Sequence, residues 1–115
     1  MDTQAAGSAF LAACRCQPVP HRPVWFMRQA GRSLPEYRAL RGTGSILDAV
    51  RQPELAAVLT MQPVQRYGVD AAILYSDIVV PVAAIGFGVD VKAGIGPVVE
   101  HPVRSAADLA RLRPL

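Results

Sequence analysis

The stretch Val24-Trp25-Phe26-Met27-Arg28-Gln29-Ala30-Gly31-Arg32-Ser33-Leu34-Pro35-Glu36-Tyr37-Arg38 sets three arginines and a glycine directly after an uninterrupted apolar run. Four apolar residues with no polar alternation have the length and pattern of a strand buried on both faces of a parallel sheet. The arginines then fall in the loop beyond its carboxyl end. A guanidinium is charged at any working pH and presents a planar fork of donors that fits a carboxylate, so a cluster there suits a poly-anionic ligand. The same grammar recurs at Asp70-Ala71-Ala72-Ile73-Leu74-Tyr75-Ser76-Asp77-Ile78, where the apolar run Ala71 to Tyr75 delivers Ser76 and Asp77 at its end. Between the two runs, Pro53 suits the first turn of a helix, Glu54 its positive end, and Gly68 its close after Tyr67. Leu55, Val58, Leu59 and Gln62 share one face of that helix and are predicted to pack on the sheet, and Pro63 is predicted to kink it. Strand, helix and strand make a βαβ unit.

The first stretch, as spelled, resembles the signature of uroporphyrinogen decarboxylase, and the second is similar to that family's next strand and its acid. The resemblance runs from about Pro23 to Leu115. It implies an α/β fold, the amino-terminal part of a (β/α)8 TIM barrel. A whole barrel takes about 250 residues, so a chain of 115 residues is expected to hold an incomplete one, with Leu115 a cut or a premature stop. Residues 1–22, with Pro18 and Pro20 and no sustained period, are expected to be a largely irregular leader with at most a short helix around Ala9 to Ala13. Residues 23–115 are expected to be the first βα units of the barrel.

Other elements follow from local signals. Leu34 to Leu40 and Ser45 to Val50 read as short helical turns broken by Gly42-Thr43-Gly44. Ala71 to Val89 reads as a buried strand, a turn and a short helix. Val89-Asp90-Val91 reads as extended chain that turns through Gly94-Ile95-Gly96-Pro97 into Val98-Val99. Ser105 and Asp108 have the spacing of a capping box for a helix carrying Leu109 and Leu112.

In a barrel, adjacent strands lie about 4.8 Å apart, so residues just past Met27 and Tyr75 face one mouth. Read from the residues alone, Asp77 is either a structural partner of Arg28 or Arg32 or part of a site with them. The resemblance implies the site. The family's substrate, uroporphyrinogen, carries four acetates and four propionates, and loss of carbon dioxide from each acetate yields coproporphyrinogen. Asp77 is then the catalytic residue, accepting hydrogen bonds from the pyrrole N–H groups. Arg28 and Arg32 bind and orient substrate carboxylates, while Gln29, Ala30 and Gly31 give backbone to the substrate rim. Tyr37, Ile73 and Tyr75 fall at positions of the apolar pocket wall. Ser33 departs from the aromatic residue usual there. The substrate ring supplies the electron sink, so no cofactor or metal is implied, and the complete protein is expected to be a cytoplasmic homodimer.

Composition excludes other classes. Net charge is +3, and the arginines outside residues 28 to 41 are scattered among Asp and Glu, so a nucleic-acid partner is not expected. The apolar region Ala71 to Val89 is broken by Asp77 and Pro81. A carboxylate near the centre of a spanning helix costs about 2.5 to 3.5 kcal/mol, so no membrane partner is expected either. Cys14 and Cys16 are too close for an unstrained disulfide, and with His21 they make only three potential zinc ligands. Two alternatives stay open. One is a corrinoid-linked methyltransferase that shares the barrel and binds zinc, and the other is a truncated, non-catalytic fragment.

Overall fold

The computed structural model describes residues 7–27, 29 and 31–113. The chain forms two compact units, residues 1–42 with 57–75 and residues 43–56 with 76–115.

The first unit is helical. Helix α1 (Ala9–Cys14) starts at Ser8, whose hydroxyl accepts from the Leu11 N–H. Helix α2 (Pro35–Arg41) has Pro35 in its first turn with Glu36, and Arg38 and Arg41 in its last, the charge order that suits the helix dipole. It stops at Gly42, whose φ of 61° favours glycine. Helix α4 (Pro53–Tyr67) enters this unit at Ala57 and runs through Pro63 as one element. Gly68, at φ 62°, closes it by donating to the Val64 carbonyl at 2.9 Å. Arg66 near its end donates to both carboxylate oxygens of Glu36 at 3.0 Å and so ties α4 to α2. The core holds Leu34, Tyr37, Leu59, Pro63, Val69 and Tyr75.

The buried stripe of α4 differs from the predicted one. Leu59 and Gln62 are buried, but Ala56 and Pro63 complete the stripe while Val58 is 49% exposed. Proline thus lies inside the packed face.

The two predicted parallel strands are the main correction. Neither Val24 to Met27 nor Ala71 to Tyr75 forms a ladder, and Phe26, Met27, Ile73 and Leu74 are 61%, 78%, 61% and 68% exposed. The segments do lie side by side, because the Asp70 N–H donates to the Val24 carbonyl at 2.9 Å. Pairing stops at that rung. The Val24 N–H goes to the Asp70 carboxylate at 2.8 Å, and Gln29 takes both main-chain groups of Phe26. A strand buried on both faces needs neighbours along both edges, and the described residues give these segments only each other.

In the second unit, α3 (Ile46–Val50) is capped by Ser45, which accepts from the Leu47 N–H at 3.2 Å and donates to the Asp90 carboxylate. Helix α5 (Val80–Ala84) follows the turn after Asp77. The predicted extended excursion is an antiparallel hairpin, β1 (Val89–Lys92) and β2 (Gly96–Val99), with Val89 opposite Val99 and Lys92 opposite Gly96. Gly88 before it has φ 62°, and a Cβ there would lie 2.8 Å from Glu100 Oε2. The capping box at Ser105 and Asp108 forms, but it opens a 3₁₀ helix, Ala106–Arg111. No helix among the described residues is long and apolar enough to cross a membrane.

Candidate active site

Of the residues expected to act on substrate, Gln29, Gly31, Arg32, Tyr37, Ile73 and Tyr75 belong to the first unit and Asp77 to the second. Arg28 and Ala30 lie outside the described residues.

The loop that carries the arginine motif is fixed at two points. At its start the Gln29 side chain, buried despite its polarity, accepts from the Phe26 N–H at 3.0 Å and donates to the Ala71 carbonyl at 2.8 Å. At its end the Leu34 N–H donates to the Gly31 carbonyl at 3.0 Å, and an Arg38 guanidinium nitrogen donates to the Arg32 carbonyl. Gly31 has φ 143°, a value that side chains disfavour. The Arg32 side chain is exposed, free of the core, as a group that meets an anionic ligand must be.

Tyr37 and Tyr75 are buried, and their hydroxyls bond at 2.9 Å with the rings tilted by 57° and 6.0 Å apart. The Tyr75 N–H donates to Thr60 Oγ1 at 2.8 Å, which fixes the end of the second segment to α4. Arg41 Nε approaches the Tyr75 hydroxyl at 3.4 Å. Burial, and next the bond to Tyr75, push the Tyr37 phenol up to about 12, so it is neutral across the physiological range. Ile73 is largely exposed, where Tyr75 is buried.

Asp77 is half-buried. Its Oδ1 accepts from the Val79 N–H at 3.0 Å and its carbonyl from the Val80 N–H at 3.1 Å, so the residue makes the turn into α5. One carboxylate oxygen holds the turn. The other is not used by that bond.

A cavity of about 540 Å³ opens in the first unit against His21, Phe26, Gln29, Ser33, Tyr67 and Asp70. His21 Nε2 lies 2.7 Å from Asp70 Oδ1. The Val24 N–H, and next His21, hold the Asp70 carboxyl below the usual range. Sequence reasoning missed this pair and also Arg41. His21 and Asp70 are 49 positions apart, and no local period links them, whereas Arg41 stood in view as the last member of the basic run. Cys14 and Cys16 are exposed free thiols. No three His, Cys, Asp or Glu side chains gather in a group that could hold a metal ion among the described residues.

Comparison with known proteins adds a family. Residues 6–115 match the family model for uroporphyrinogen decarboxylase (URO-D). The chain is 60% identical over 113 residues to the uroporphyrinogen decarboxylase of Streptomyces coelicolor, which covers 98% of this chain and 32% of the relative. It is 63% identical over 108 residues to that of Streptomyces griseus and 61% identical over 108 residues to that of Thermobifida fusca, each covering 94% of this chain and 30% of the relative. The chain thus spans about a third of the length of the curated relatives it matches.

Proposed function

The chain belongs to the uroporphyrinogen decarboxylase family, and on that premise we propose that it supplies the amino-terminal part of a site that decarboxylates the four acetates of uroporphyrinogen III to give coproporphyrinogen III. Identity of 60% across nearly the whole chain to a relative bearing that name carries the proposal.

The chemistry assigns each residue a task. Breaking the bond between an acetate methylene and its carboxylate releases carbon dioxide and leaves an electron pair, which the pyrrole accepts once it is protonated at the ring carbon beside nitrogen. Positive charge therefore builds on the ring before the bond breaks; afterwards the methylene takes up a proton to become the methyl group and the ring carbon gives up its own, which restores the pyrrole. Asp77, accepting from the pyrrole N–H groups, stabilises that charge more than the neutral ground state, and this difference accelerates the reaction. Arg28 and Arg32 hold substrate carboxylates and orient the ring. A guanidinium is a poor proton donor near neutral pH, so binding is their first role. Gln29, Ala30 and Gly31 line the rim, and Tyr37, Ile73 and Tyr75 belong to the pocket wall. The Tyr37 and Tyr75 hydroxyls share one hydrogen bond. The complete protein acts as a homodimer in the cytoplasm on this proposal.

The test is a chimera in which this chain replaces the matching amino-terminal part of the Streptomyces coelicolor enzyme. It is expected to form coproporphyrinogen from uroporphyrinogen. A folded chimera that releases no carbon dioxide refutes the proposal.

A further inference from the structure

Gln29 carries three hydrogen bonds that no ligand-binding role requires. Its main-chain N–H donates to the Phe26 carbonyl at 3.1 Å, its Oε1 accepts from the Phe26 N–H at 3.0 Å, and its Nε2 donates to the Ala71 carbonyl at 2.8 Å. The residue is 9% exposed. Burying a carboxamide is costly unless both its ends find partners, and here both do. A glutamine that met substrate through its side chain would leave one end open to the ligand. This one bridges the two segments that lead into the candidate site instead.

We infer that Gln29 is a positioning residue, whose carboxamide fixes the arginine-bearing loop to the segment that ends at Tyr75. Chain connectivity makes the effect local. Arg28 is the preceding residue and Arg32 follows by three, and the far end of the loop is already held through the Arg32 carbonyl. With both ends tied, the main chain that carries Arg32 starts from a narrow range of positions, and less freedom is lost when its guanidinium engages a carboxylate. The geometry also specifies the side chain. Glutamate can accept from Phe26 but cannot donate to Ala71 as a carboxylate, and asparagine is one methylene shorter than the span.

The inference rests on the proposed decarboxylase activity, and the test separates the two. In the chimera, Gln29→Glu is expected to lower kcat/KM by about 10²-fold, the scale set by a displacement of about 1 Å in a substrate-holding group. Most of the loss should lie in KM. Leu59→Ala, which hollows the fully buried centre of α4, serves as the stability control and should lower the melting temperature with KM unchanged. A KM for Gln29→Glu within twofold of the parent overturns the inference. So does a loss confined to kcat that merely tracks the melting temperature, as in Leu59→Ala. If the parent chimera is inactive, the decarboxylase proposal falls and the positioning role is read from fluorescence titration with uroporphyrin. Tenfold or weaker binding by Gln29→Glu then supports the role, and equal affinity, or none in either protein, overturns it.

Discussion

Tyr37→Phe removes one hydroxyl from a buried pair and changes nothing else in shape. The bond lost is the 2.9 Å contact with Tyr75, and a neutral hydrogen bond of this kind contributes about 0.5 to 1.5 kcal/mol net. The Arg41 guanidinium still reaches the Tyr75 hydroxyl at 3.4 Å, which places the expected cost near the middle of that range, at about 1 kcal/mol. In the chimera this corresponds to a melting temperature lower by about 2 °C at pH 8, the lower end of the usual shift for a larger domain. A cycle with Tyr75→Phe should return a coupling of about 1 kcal/mol. Alkali adds an independent check. Tyr37 is pushed up from an ordinary value of 10.0 to about 12, so the folded form holds its proton where the unfolded form has lost it. The stability this confers is complete below pH 10 and is lost as the pH rises toward 12. Two pH units amount to about 2.7 kcal/mol at most, which solvent screening reduces to about 1 to 2 kcal/mol. The parent should therefore lose more stability than Tyr37→Phe between pH 10 and 12, and the two melting curves should converge. Curves that stay parallel through pH 11.5, or a coupling under about 0.3 kcal/mol, would refute a buried hydroxyl pair.

Asp77→Asn is expected to retain substrate binding and the turn into α5, since the amide oxygen can still accept from Val79, while turnover in the chimera drops by about 10²- to 10³-fold; parental turnover would reduce Asp77 to its structural bond. Arg32→Lys keeps the carbonyl that Arg38 holds but loses the planar fork, so affinity for uroporphyrinogen should weaken, and more so as salt rises. Unchanged affinity at low and high salt would remove Arg32 from the residues proposed to hold substrate carboxylates. The 115-residue chain alone should release no carbon dioxide from uroporphyrinogen and should scatter light as an associated species, because Phe26, Met27, Ile73 and Leu74 stand exposed beside unpaired main chain; a monodisperse and active preparation would contradict both expectations.

Elements whose signals lie within a few residues were legible in the sequence. Pro35 and Gly42 bracket α2, Ser45 caps α3, Gly94 and Gly96 bend the hairpin, and Ser105 with Asp108 forms its box, each through bonds or φ values set locally. The capping box could not tell α from 3₁₀, since its own bonds span only the first turn. The apolar run Val24 to Met27 was a weaker guide. Its composition states what the segment prefers to be covered by, but a ladder depends on partners distant in sequence, and here the first partners are the carboxylate of Asp70 and the carboxamide of Gln29.

That contrast also divides the candidate site. The arginines and Asp77 are recognisable because their chemistry is exceptional for their places after apolar runs. Gln29, His21, Asp70 and Arg41 act through bonds to residues 3 to 49 positions away, and a glutamine in such a motif looks the same whether its carboxamide meets ligand or protein. Only the burial of both ends distinguishes them. On the proposed reading the residue types in the motif match the ligand's charge, and the side chain inferred to position them is distinguished by its bond to the Ala71 carbonyl, 42 positions away.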